Sequence, residues 1–130
     1  MSHASTTRYA QNVGNFRELV EFCAAMDPAR YHPVRLNLKI KSLQESLAVA
    51  QACVAKFDET HAELVKTPDA GAEAHLAQDR AREAMNVALY ATGEGIVHLA
   101  NDCKAYLKSL KGPKEENLHH ITHLEFRAPG

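Results

Sequence analysis

Apolar residues recur at helical spacing along most of the chain, and proline and glycine divide it into segments. From Asn15 to Met26 the apolar positions are three and four residues apart, which predicts one face of a helix. Asn15 is a favourable N-cap residue, and Pro28 disfavours helical geometry at Asp27. The pattern therefore predicts a short N-terminal helix after a flexible segment at residues 1–14.

The longest regular pattern follows Pro33 and has heptad spacing. No glycine or proline occurs from Val34 to Thr67, and apolar positions alternate there by four and three residues. These positions are Leu36, Ile40, Leu43, Leu47, Ala50, Val54, Phe57, His61 and Leu64. The spacing predicts one helix from Leu36 to Lys66, about 47 Å long at 1.5 Å per residue.

A second long helix is expected directly after Thr67, because Pro68 suits the first position of a helix. Its early seam is a ridge of alanines, namely Ala70, Ala74, Ala77, Ala81, Ala84, Ala88 and Ala91. Larger apolar side chains from Met85 to Leu110 form a second seam. Two helices joined so tightly run antiparallel, so facing residues have numbers that sum to about 136.

Two glycines interrupt this second helix, at Thr92-Gly93-Glu94-Gly95. Because the apolar phase continues through them, the sequence predicts a kink, or a short break that keeps the helix axis roughly in line, and the kink is the preferred interpretation. Gly112 and Pro113 end the helix. The predicted organisation is a helical bundle domain at residues 15–112, with residues 113–130 as a tail packed on the bundle.

Composition excludes several classes of protein. The 130 residues carry a formal net charge of −1, which argues against a generally basic nucleic-acid coat protein. No apolar run approaches the roughly 20 residues of a membrane span, and the start lacks the apolar stretch of a signal peptide. Three cysteines without a Cys-x-x-Cys pair favour a reducing compartment and small buried apolar roles. We therefore expect a cytoplasmic protein without membrane contact.

Four segments together resemble an uncharacterised family of bacterial helical-hairpin proteins. They are NVGNFRELVEF, YHP, NVALYATGEGIVHLANDCKAYLKSLKG and HITHLEFRAP, in that order. Some members of the family look like tandem copies of such a unit, whereas this chain holds one. The resemblance covers most of the chain from Asn12 onward. It implies a helical-hairpin fold and lowers the expectation of an enzyme.

Two histidines are expected to lie opposite each other near the hinge of the antiparallel hairpin. His61 and His75 satisfy the sum of 136, and Asp58 and Asp79 each lie one helical turn away. Imidazole and carboxylate groups on two facing helices are suitable ligands for a small metal site. The alternative is that His61 is a seam residue near a wet bundle end, with the other three side chains solvated. The alternative is favoured, and no cofactor is expected.

Charge is distributed unevenly along the hairpin. Acidic residues gather at the hinge, and basic residues gather at the opposite end, where the candidate anion or nucleic-acid contacts are Arg30, Arg35, Lys39, Lys41, Lys104 and Lys108. Compensation of a helix dipole explains lysines near a helix C-terminus but not Arg35 and Lys39 near a helix N-terminus. Aromatic platforms for a single strand are scarce at this end, so nucleic-acid binding is not the favoured function.

These patterns predict an all-α protein: a long antiparallel helical hairpin with a short N-terminal helix. Such a hairpin leaves apolar surface uncovered toward the hinge, so we expect a homodimer that completes a four-helix bundle. The favoured function is a non-catalytic interaction or scaffold module with a protein partner. A small metal-binding bundle that uses His61 and His75 is the first alternative. A nucleic-acid accessory protein with a basic end is the second.

Overall fold

The computed structural model describes residues 4–67 and 69–127, and every regular element in these ranges is helical. The elements are α1 (Ala4–Ala25), a 3-10 turn (Leu36–Leu38), α2 (Ile40–Lys66), α3 (Ala72–Tyr90), α4 (Ile96–Ser109) and α5 (Leu118–Thr122). The predicted all-α class is confirmed. Within the described part of the chain, no helix has the length and apolar character that a membrane crossing requires.

The N-terminal helix is neither short nor preceded by a flexible segment through residue 14. α1 begins at Ala4 instead of Asn15 and has 22 residues. The apolar face continues backward through Val13 but is then occupied by Asn12, which is 1% exposed. Because a polar residue stands at a core position, the periodicity that marks a helix ends too early when it is read from the sequence.

α1 and α2 run antiparallel, since Tyr9 near the start of α1 contacts Phe57 in the second half of α2. α2 begins at Ile40, four residues later than predicted, after the separate 3-10 turn. The Tyr31 hydroxyl donates a hydrogen bond of 2.6 Å to the Leu38 carbonyl, which helps to fix this turn. As a result Leu38 is buried, whereas Leu36 is 75% exposed instead of continuing the α2 seam.

The chain breaks between α3 and α4, so the preferred interpretation of a kink is wrong and the structure has the break that the sequence left as the alternative. Gly93 has a φ of +79°, a left-handed conformation that favours glycine, and Gly95 precedes α4 in an extended conformation. The amides of Glu94 and Gly95 both donate to the Ala91 carbonyl and close the turn. α4 thus starts as a new helix at Ile96, which allows it to pack against both α1 and α3.

The hydrophobic core lies where α1 to α4 meet. Its largest fully buried side chains include Phe16, Leu19, Leu43, Met85, Leu89, Ile96 and Leu107. On α3 the seam of Met85 and Leu89 carries the core, while most members of the alanine ridge are exposed or half-buried. Toward the C-terminus, α5 and the segment after it add Leu118, Ile121 and Leu124 to the same core.

Candidate interaction surface

One side of the α2–α3 hairpin is an open groove that runs along both helices. Near the hinge a cavity of about 470 Å³ is lined by Lys56, Glu59, Thr60, Glu63, Ala74 and Ala77. Near the other end a cavity of about 390 Å³ is lined chiefly by Ser42, Glu45, Ser46, Val49, Val87, Ala88, Gly93 and Glu94. We call the surface formed by these two sets of residues the open groove.

α1 covers the other side of α2 and leaves the open groove uncovered. Residues of α1 from Ala10 to Arg17 lie beside Gln51, Val54, Ala55 and Asp58 of α2. Successive residues of a helix are about 100° apart, so these positions and the groove positions Ser42, Glu45 and Val49 lie on opposite sides of α2. The single chain therefore provides cover for one face of its hairpin and leaves the other face accessible.

The open groove carries small and apolar side chains among its charged and polar ones, and these make it suitable for another helix. Val49 and Val87 are 56% and 58% exposed, which is unusual for large apolar side chains. Ala74, Ala77 and Ala88 line the groove on the α3 side, and their short side chains permit a close approach of another backbone. Members of the predicted alanine ridge thus contribute to this surface, although Ala81 is buried in the core.

The surface charge changes sign from one end of the hairpin to the other. Exposed carboxylates of Glu59, Glu63, Asp69 and Glu73 lie around the hinge. Exposed cations, among them Arg35, Lys39 and Lys41, lie just before and at the start of α2. The hinge end of the open groove is therefore flanked by carboxylates, whereas at the other end these cations lie outside a lining that includes Glu45 and Glu94.

The four residues of the predicted metal site do not assemble. His61 is exposed and faces Gln78, whose amide nitrogen lies 3.0 Å from its Nδ1 atom, instead of facing His75. Asp79 pairs with Arg82 at 3.2 Å. Within residues 4–67 and 69–127, no group of three or more His, Cys, Asp and Glu side chains is placed to hold a metal ion.

The residues of the predicted metal site stay apart because the register of α3 against α2 is shifted across the hinge. α3 begins at Ala72, so the connection after α2 is longer than the immediate restart that the sequence suggests. Pro68, at the predicted centre of the turn, lies outside the described residues. The contact between His61 and Gln78 corresponds to a sum of 139 rather than about 136. The shift of three residues separates His61 from the position predicted to face it.

Three of the six predicted anion-binding cations already have partners within the chain. Arg30 pairs with Glu115, and Arg35 pairs with Asp102 at 3.0 Å. Lys104 donates to the Leu124 carbonyl at 2.7 Å and lies over the Phe126 ring.

Partial burial lowers the pKa of Lys104, and the positive charge of Lys108 lowers it further. Lys39, Lys41 and Lys108 remain exposed. Half of the predicted cationic side chains therefore form contacts that connect parts of the fold to one another.

The pair of Arg30 and Glu115 predicts a loss of stability in acid. The hydrogen bond from Arg30 lowers the pKa of the Glu115 carboxyl below its ordinary value of 4.5, and partial burial opposes this effect. A lowered pKa in the folded state means that the pair stabilises the fold fully above pH 4.5. This contribution is lost as the pH falls through the lowered pKa.

We expect Glu115→Gln to lower stability by about 1 kcal/mol at neutral pH, and the difference from the natural protein should shrink toward pH 3. Melting temperatures between pH 7 and pH 3 measure this. Glu116→Gln, at the exposed neighbouring position, is the matched control and should follow the natural protein throughout. A difference for Glu115→Gln that does not change with pH would contradict the assignment.

Sequence reasoning missed the proximity of two cysteines. Cys23 of α1 and Cys103 of α4 bring their sulfur atoms within 3.6 Å of each other in the core. Both positions belong to apolar seams, which correctly predicts that they are buried. Their pairing depends on how α1 packs on α4, and no local pattern in the sequence specifies that register.

Comparison of the chain with protein-family models, with curated proteins and with solved structures gives no match in any of the three. The resemblance to bacterial helical-hairpin proteins therefore stays a prediction.

Proposed function

We propose that the protein is a non-catalytic interaction module whose open groove binds a second copy of the chain. The two α2–α3 hairpins would pack face to face and build a four-helix bundle across the interface. The observation that carries this proposal is the uncovered face with Val49 and Val87 more than half exposed. Removing such apolar surface from water contributes about 25 cal/mol per Å².

The size of the open groove is sufficient for a specific dimer. From Ser42 to Glu63 the α2 edge extends about 32 Å at 1.5 Å per residue. With two helices side by side, each about 10 Å wide, the face covers about 600 Å² per copy. Two copies would bury about 1,200 Å² in total, which exceeds the roughly 1,000 Å² expected of a biological interface.

Charge favours an antiparallel arrangement of the two hairpins. In that arrangement the acidic hinge of one copy, with Glu59 and Glu63, lies beside the basic start of α2 in the other copy, with Lys39 and Lys41. A parallel arrangement would place the acidic hinges of both copies together, which is unfavourable. The antiparallel dimer has a two-fold axis, so each copy uses the same surface. Lys39 and Lys41 thereby acquire a role that requires no nucleic acid.

Sedimentation equilibrium at micromolar concentration tests the proposal. We expect twice the 14.3 kDa mass of one chain. Val87→Glu should shift the protein to the monomer, because it would bury a carboxylate in the interface. Val34→Glu is the matched control, since it makes the same change at a residue that is 91% exposed and outside the open groove. Circular dichroism verifies that both variants keep their helices.

Salt and charge reversal test the orientation. Replacing both Lys39 and Lys41 by Glu should weaken the dimer at least tenfold at low salt, and high salt should weaken the natural dimer. Lys111→Glu, an exposed lysine beyond α4, should have little effect. A natural protein that sediments as a monomer, or a dimer that tolerates Val87→Glu, would overturn the proposal.

A further inference from the structure

Two thiols meet in the core between α1 and α4, and the proposed dimer does not use them. The Sγ atoms of Cys23 and Cys103 are 3.6 Å apart, and the residues are 1% and 0% exposed. The third cysteine, Cys53, lies half-buried on α2. All three are free thiols.

A phenol completes this cluster and fixes the direction of its hydrogen bonds. The Tyr31 hydroxyl lies 2.6 Å from the Leu38 carbonyl oxygen, which can only accept, so the hydroxyl donates its proton there. The Tyr31 oxygen also lies 3.5 Å from the Cys103 sulfur and is left to accept from the Cys103 thiol. The Cys23 thiol in turn donates to the Cys103 sulfur. The chain of donors runs from Cys23 through Cys103 and Tyr31 to Leu38.

We propose that Cys23 and Cys103 form a disulfide on oxidation by a small hydroperoxide. Their sulfur atoms are in direct contact and have to approach from 3.6 Å to about 2.05 Å to form the bond. The oxidant has to be small and uncharged because both sulfurs are buried. Hydrogen peroxide meets this requirement, whereas a bulky charged disulfide does not.

The two thiols have different roles in the reaction. Hydrogen bonding by the Cys23 thiol lowers the pKa of Cys103 against the opposing effect of burial, whereas at Cys23 the same bond and burial both raise the pKa. Cys103 is therefore the thiol that ionises first and attacks the peroxide. A sulfur–oxygen bond forms, the oxygen–oxygen bond breaks, and the departing hydroxide takes the thiol proton to become water.

The second step closes the disulfide and returns the site to neutrality. The Cys23 sulfur attacks the sulfenic sulfur of Cys103, a sulfur–sulfur bond forms, and the sulfur–oxygen bond breaks. The leaving hydroxide takes the Cys23 proton and departs as water. In total two thiols lose two electrons, and one hydrogen peroxide is reduced to two molecules of water.

The disulfide would tie the end of α1 to the middle of α4 across a chain separation of 80 residues. Closing so long a loop restricts the unfolded chain much more than the folded one, so the oxidised protein should melt at a higher temperature. We expect a rise of at least 5 °C, which disappears when the disulfide is reduced after unfolding.

Alkylation after oxidation tests the proposal. The protein is treated with hydrogen peroxide, unfolded without reductant, alkylated and digested for peptide mass analysis. The expected product contains one crosslink between the peptides of Cys23 and Cys103, while Cys53 remains alkylated as a free thiol. Reduction before alkylation should restore three modified cysteines.

Two variants, each with one cysteine replaced by alanine, complete the test. Cys53→Ala should leave the crosslink unchanged. Cys23→Ala should prevent it and leave Cys103 as a sulfenic acid, which dimedone traps when it is present as the oxidised protein is unfolded, provided that circular dichroism verifies the fold before oxidation. Preferential oxidation of Cys53, a crosslink that involves Cys53, or the absence of any crosslink in folded natural protein would overturn the proposal. Because the readout is a bond within one chain, failure of the proposed dimer would not affect it.

Discussion

Gly95→Ala should lower the free energy of unfolding by about 3 kcal/mol, the upper part of the range for overpacked positions. A Cβ atom at Gly95 would lie 2.6 Å from the backbone nitrogen of Ala91 and from the backbone carbonyl carbon and oxygen of Leu89. Backbone atoms at the end of α3 cannot move aside as a flexible side chain can. The φ of −69° at Gly95 is ordinary for any residue, so the expected loss is purely steric.

Two other glycines provide matched comparisons in the same chain. At Gly93 a Cβ atom meets open space, but the φ of +79° makes alanine unfavourable by about 1–2 kcal/mol. Gly14 lies within α1, also with open space around its Cβ position, so alanine there should stabilise the protein by up to about 1 kcal/mol. Urea unfolding should give the lowest free energy of unfolding for Gly95→Ala, an intermediate value for Gly93→Ala and the highest value for Gly14→Ala. A neutral Gly95→Ala would mean that the α3–α4 turn can relax, contrary to the structure.

The existence of the helices could be predicted from the sequence, but several of their ends could not. Periodicity identifies a helix where apolar residues repeat without interruption, as they do from Leu43 to Phe57. It fails where a polar residue is buried, as at Asn12, or where a tertiary hydrogen bond changes the backbone, as at Leu38. The continuing apolar phase across Gly93 and Gly95 concealed the break, because a short turn can keep two helices in compatible register.

The open groove could be predicted in part, because the sequence indicates that the hairpin, with its alanine ridge, leaves apolar surface uncovered toward the hinge. The metal hypothesis depended instead on the hinge register, and a shift of three residues was enough to place Gln78 rather than His75 opposite His61. The length of the connection between α2 and α3 determines such a register, and helix–helix connections vary from about two to eight residues. The contact of Cys23 and Cys103 lies between helices distant in sequence, so only the assembled core reveals it.

Asn12→Ala should lower the free energy of unfolding by about 2–3 kcal/mol, because its side chain connects α1 to the C-terminal segment. Its Nδ2 atom donates to the Arg127 carbonyl at 2.9 Å, and its Oδ1 atom accepts from the Arg127 amide at 2.9 Å. Nδ2 also donates to the Tyr90 hydroxyl oxygen at 3.2 Å. Alanine removes all three hydrogen bonds and leaves a small cavity at a position that is 1% exposed.

Asn15→Ala is the matched control for this prediction. Asn15 lies one turn further along α1 and donates one hydrogen bond, at 2.9 Å and exposed to water, to the Glu125 carbonyl. Water replaces that bond, so its loss should cost well under 1 kcal/mol. Thermal melts measure the two losses, and amide hydrogen exchange at residues 118–127 should accelerate in Asn12→Ala far more than in Asn15→Ala. Equal effects of the two variants would show that the Asn12 side chain does not hold the C-terminal segment in place.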